Sequence, residues 1–104
     1  MKELTQEQIE TIRQDPDNTS WDYISRVYIL PEWFMREFHN YLDWNHIISY
    51  QTLSGHFITE LYYNVDNSLM LYHCCDNKNY HNLKLLLKLG IKLDNIAIYL
   101  LKRQ

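Results

Sequence analysis

Apolar side chains recur along this chain in short bursts at helical spacing. Phe57, Ile58, Leu61 and Val65 form one stripe, and Ser54 stands ahead of them as a natural N-cap. Thr5 precedes Ile9 in the same way. Shorter helices are marked by Trp21 with Ile24 and by Trp44 with Ile47, each pair one turn apart. Pro31 falls where a first helical residue is expected, a position that needs no N–H. Further on, Leu83, Leu86 and Leu87 share a helix face that Gly90 closes as a left-handed cap. Asp94 then opens a last helix with Ala97, Ile98 and Leu101 inside, and Lys102-Arg103 suit the negative pole of that helix. Tyr, Ile and Val favour strands, but strict alternation fails in every window longer than five residues. The pattern predicts an all-α chain.

The pattern also repeats. At an offset of 23, Trp21 falls on Trp44, Ile24 on Ile47, Leu30 on Leu53, Phe34 on Phe57, Glu37 on Glu60 and Leu42 on Val65. A decayed third unit is expected to open at Asp66, with Met70 in the place of Ile47. An earlier half unit, Leu4-Thr5 with Ile9, parallels Leu53-Ser54 with Ile58 three residues out of phase. The turn-rich stretch Asp15–Ser20 absorbs the mismatch. Helices this short do not hold together alone in water. Stacked units bury each other's aromatics, at roughly 2–3 kcal/mol for each large side chain. The expectation is one helical repeat domain over residues 1–104: short stacked helix–turn–helix repeats forming a small α-solenoid-like bundle.

Trp44, Ile47, Ser49, Gln51, Leu53, Ser54, Phe57 and Ile58, together with Trp21, Ile24, Ser25, Leu30, Glu32, Phe34, Glu37, Phe38 and Asp43 of the first copy, carry a resemblance. They resemble a short helical repeat of about 23 residues found in arrays in giant DNA viruses and related viral and phage proteins. Residues 20–66 are covered, and Ser49 stands one place late. The resemblance implies a viral or phage setting and an interaction scaffold, and it brings no catalytic residues with it.

Composition points the same way. Asn, Ile and Tyr, with AT-rich codons, number nine, ten and nine, against one Ala, two Gly and two Pro. Such a bias fits a phage, a large DNA virus or a low-GC bacterium. No run of apolar residues is long enough to span a membrane, and the first residues lack an apolar signal-peptide core. Adjacent Cys74 and Cys75 rarely bridge each other, so reduced thiols and the host cytoplasm are expected.

His73, Cys74, Cys75 and His81 lie close in sequence, but zinc prefers C-x2-C or H-x3-H pairs. Adjacent cysteines on a helix point about 100° apart. Buried small apolar cysteines are the expectation, with no metal and no cofactor. Cys75 with a histidine has no supporting signature for nucleophilic catalysis, and no Gly-rich phosphate loop is present, so no enzyme is expected.

Charge is segregated. Residues 1–66 hold eleven acids and four bases, and residues 67–104 hold six bases and two acids. Glu7, Glu10, Glu32 and Glu37 form a candidate acidic face for a basic protein partner. Trp33, Tyr62 and Tyr63, beside rather than on the apolar stripes, are candidate aromatic anchors. Lys84, Lys88, Lys92, Lys102 and Arg103 are the alternative, a basic end for nucleic acid. The expected function is protein–protein binding by a viral or phage accessory protein. Its sharpest version is anti-CRISPR-like inhibition of a host defence nuclease by occlusion. A self-associating structural repeat, such as a homodimer through exposed aromatics, is a third possibility.

Overall fold

The computed structural model describes residues 1–103. Eight α-helices follow in chain order: α1 (Gln6–Gln14), α2 (Trp21–Val27), α3 (Glu32–Glu37), α4 (Trp44–Tyr50), α5 (Gly55–Asn64), α6 (Met70–Asp76), α7 (Tyr80–Lys88) and α8 (Asn95–Lys102). They sort into two layers. Helix α4 packs on α2, α6 on α4 and α8 on α6, so the even-numbered helices stack on one another. The odd-numbered helices form the second layer. There α5 packs on α7, and cross-helix ion pairs join α1 to α3 and α3 to α5. The all-α repeat architecture is therefore as expected, and the stack measures 44 × 29 × 20 Å.

The caps explain why such short segments are helical. Thr5 accepts the Gln8 N–H while the Gln8 side chain returns to the Thr5 N–H, a reciprocal capping box. Ser54 caps α5 through the Phe57 N–H, Asp43 caps α4 through Asn45, and Asp94 caps α8 through Ala97. Pro31 stands one place earlier than predicted. Its ψ of 155° makes it the N-cap, and its carbonyl accepts the Met35 N–H. Gly90 ends α7 at φ 97°, the left-handed conformation expected of it.

The third unit departs from the predicted register. Helix α6 opens at Met70, so Met70 takes the place of Trp44 rather than of Ile47. Three extra residues are taken up between α5 and α6, where Asn67 bonds back to the Tyr62 carbonyl. Apolar periodicity survives the slip because the fully buried Cys74 and Cys75 lie one turn further on. Two other expectations change. Leu87 and Ile98, predicted inside, are exposed, whereas Leu83, Leu86 and Ala97 are buried. The chain also contains a two-residue parallel strand pair, β1 (Lys2–Glu3) on β2 (Tyr28–Ile29). Two rungs are too short for alternation to show in sequence.

Units are joined by buried carboxamides. Gln51 donates to the carbonyls of Ser25 at 2.7 Å and Tyr28 at 2.8 Å, and accepts the Leu30 N–H at 3.0 Å. Asn82 donates to Ile48 at 2.9 Å and Gln51 at 2.7 Å, and accepts the Leu53 N–H at 3.1 Å. Asn79 adds three more bonds to the carbonyls that end α4. Each joint satisfies backbone groups that a helix end leaves without partners. Phe34, Met35, Ile47, Ile48, Leu53, Phe57, Ile58 and Met70 close the apolar core around these joints.

Candidate interaction surfaces

The four candidate glutamates do not share one free acidic face. Arg13 holds Glu37 through a two-pronged contact at 2.7 and 2.9 Å and also bonds Glu10. Arg36 bonds Glu60 at 3.0 Å and lies 4.0 Å from Glu32, which accepts the Ser54 N–H. The hydrogen bond from Arg13 holds the Glu37 carboxyl below the usual range, and Arg36 does the same to Glu60. Glu37 and Glu60 stand one repeat apart, so these arginines form a charge ladder along the second layer. Three of the four acids are thus engaged inside the chain. Glu7 forms no ion pair among the described residues.

The aromatic candidates separate as well. Trp33 is 48% exposed on α3, with the Arg13 guanidinium over its ring at 5.9 Å. Tyr63 is 70% exposed, and half-buried Tyr62 packs edge-on to it at 5.1 Å. Tyr23, absent from the sequence-derived candidates, is also exposed and lies in a cleft of about 420 Å³ between α1 and α2. Leu4, Ile12, Ile24 and Tyr28 supply its apolar wall, and Glu7 and Thr11 stand at it.

At the basic end, Lys84, Lys88, Lys92 and Lys102 are exposed and form no ion pair among the described residues. Arg103 instead pairs with Asp76. The cation that closes α8 is Lys78, whose Nζ bonds the Leu101 carbonyl at 3.0 Å and also reaches Leu100. Lys102 also lies in the last turn of α8, where the basic end is expected. Lys78 reaches it from the turn between α6 and α7, where its φ of 57° is left-handed.

The His/Cys group serves packing. Cys74 is fully buried, and its thiol donates to the Ile48 carbonyl at 3.7 Å. Burial pushes the Cys74 thiol up to about 12 and raises Cys75 for the same reason, which disfavours the thiolate that a nucleophile or a zinc ligand needs. The His81 Nε2 is taken up by the Leu53 carbonyl at 2.7 Å. A different trio has ligand geometry: one donor each from Asp22, Asp43 and His46 lie within 4.8 Å of one another. The His46 Nδ1 sits 3.0 Å from Asp43 and 3.6 Å from Asp22. Both carboxylates are exposed, and the His46 ring is half-buried. No spacing motif marks this trio in sequence, because Asp22 belongs to the preceding unit.

These features define a small stack of helical units whose interior polar groups hold backbone and whose exposed groups are segregated by charge. Compared with protein-family models, with curated proteins and with solved structures, the chain matches none. No described helix is long and apolar enough to cross a membrane.

Proposed function

We propose that this is a viral or phage accessory protein that works in the host cytoplasm by binding another protein, without catalysis. The observation that carries this reading is the division of labour among its polar side chains. Gln51, Asn79 and Asn82 are spent on the joints, Cys74 and Cys75 on packing, and the exposed side chains include large aromatic rings and unpaired charges. Rigid, half-exposed rings such as Trp33 and Tyr63 are efficient anchors, since they bury large area at little cost in rotamer freedom. Anti-CRISPR-like occlusion of a host defence nuclease is the sharpest form of this proposal. The ladder alters how it would work: Glu10, Glu32 and Glu37 already face arginines, so Glu7 and the aromatic anchors make the first contacts.

The test is capture of tagged protein from a low-GC bacterial host lysate, with and without nuclease. A discrete protein complex that survives nuclease and is lost with Trp33→Ala or Tyr63→Ala supports the proposal. Recovery of nucleic acid alone overturns it and favours the basic end. That second reading rests on the four unpaired lysines, and it predicts an affinity falling linearly with salt on logarithmic axes.

A further inference from the structure

The two edges of the stack fit each other. At one edge lies α8. Counted from their N-caps, Asp94 and Asp43, Ile98 and Tyr99 of α8 stand where α4 has Ile47 and Ile48. Ile47 and Ile48 are fully buried in a helix packed on both α2 and α6. Tyr99 is 62% exposed and Ile98 is 38% exposed, and Ile96 beside them is exposed too. Positions that the repeat buries from both sides are therefore covered from one side only.

At the opposite edge, the cleft between α1 and α2 presents Leu4, Ile12, Tyr23, Ile24 and Tyr28. The alternation of layers makes these two edges compatible. Helix α8 belongs to the even layer, and in every unit an odd-layer helix follows an even one, as α5 follows α4. Helix α1 is of the odd kind, with a second-layer cap and a linker, Lys2–Glu3, that pairs alongside the α2–α3 linker. Seated beyond α8, a second copy would place its α1 against α7 and its α2 against α8, continuing both layers in phase.

Charge agrees with this pairing. Counted from the N-caps Asn79 and Pro31, Lys84 of α7 stands where α3 has Arg36, the residue that reaches across to Glu60 of the following helix. The Glu60 position corresponds to Thr11 in α1, with Glu7 one turn before it. Lys84 and Glu7 are both exposed and form no ion pair among the described residues.

We propose that copies of this protein associate head to tail, the α7–α8 edge of one seating on the α1–α2 cleft of the next, with Lys84 facing Glu7 across the joint. This surface is heterologous, so the assembly grows beyond a dimer rather than closing on a two-fold axis. The inference stands apart from the accessory-binding proposal, because it concerns the pure chain.

Light scattering and sedimentation of the purified chain over a concentration series test it. Expected are species that grow past two copies with concentration and weaken with added salt. Ile96→Asp with Tyr99→Asp should weaken association about a hundredfold, as loss of an apolar anchor does, with an unchanged helical circular dichroism spectrum. Lys84→Glu and Glu7→Lys should each weaken it about tenfold. Mixing these two variants should restore it, because the reversed charges then meet opposite signs across the joint. A chain that stays monomeric at every concentration overturns the proposal. So does a dimer that saturates at two copies, or a mixture of the charge variants that shows no restoration.

Discussion

Gln51 and Asn82 perform one task in successive units. Gln51 binds the backbone of Ser25, Tyr28 and Leu30, and Asn82 binds that of Ile48, Gln51 and Leu53, each target 23 residues further on. The two amides come from different places, Gln51 from the residue that ends α4 and Asn82 from within α7. What is repeated is therefore a set of backbone groups left open by a short helix, and the chain answers it with whichever carboxamide can reach.

Gln51→Glu and Asn82→Asp test this. A carboxylate can still accept the Leu30 or Leu53 N–H, but it has no donor for the two carbonyls. Each substitution should cost about 2–4 kcal/mol at neutral pH, since buried carbonyls lose their partners beside a buried charge. The folded-state pKa of the new acid is raised, so its neutral form is favoured on folding. Stability should then improve as pH falls through that raised value, the reverse of the usual acid loss. Urea unfolding at pH 7 and near pH 4.5 decides it, and equal losses at both would count against the amide joint.

The arginine ladder gives the wild-type chain its own acid sensitivity. Glu37 and Glu60 have folded values below the ordinary 4.5 because Arg13 and Arg36 hydrogen-bond them. Groups with lowered folded pKa stabilise fully above the unfolded value, and that contribution is lost as pH drops through the folded one. Melting temperature should decline below about pH 4.5. Glu37→Gln should lower it at neutral pH and flatten the acid limb. These side chains are exposed, so about 1 M salt should shrink both effects.

Thiol chemistry should report global unfolding. With Cys74 pushed up to about 12 by burial, its thiolate is far scarcer near neutrality than that of a free cysteine. Ellman's reagent should leave both cysteines of the native chain unmodified on a timescale of minutes and titrate two thiols in denaturant. Rapid labelling of the native chain would contradict the packing assigned to α6.

Lys78 joins a strained backbone to a cap. Lys78→Ala removes the ammonium from the Leu100 and Leu101 carbonyls and leaves a Cβ at φ 57°. Lys78→Gly removes the same ammonium but tolerates the left-handed turn. Both should raise amide exchange in α8 ahead of the other helices, and the glycine variant should be the more stable by about 1–2 kcal/mol. Equal exchange throughout the chain would show that α8 does not depend on this cap.

Local chemistry made much of the fold legible. Thr5, Ser54 and Asp94 act within three residues of themselves, and Gly90 answers a single backbone angle, so their roles show in any short window. The 23-residue offset shows because both central units bury the same faces. The third unit was misphased because Met70, Cys74 and Cys75 preserve an apolar rhythm on either side of a three-residue slip, and periodicity alone has no absolute register.

Helices, caps, the repeat and the separation of charge all follow from residues read in order along the chain. Which charges pair across helices follows only from packing. Glu10 and Glu32 pair within their own helices, with Arg13 three residues on and Arg36 four residues on, whereas Glu37 is reached by Arg13 from the neighbouring helix α1. Packing also buries Asn82 and leaves Ile98 and Tyr99 exposed. The physical reason is the same in each case. A cap, a stripe or a pair within one helix depends on residues one turn away, which the chain writes in order, whereas pairing between helices and burial depend on a neighbour about 23 residues distant in a stack whose register packing alone sets.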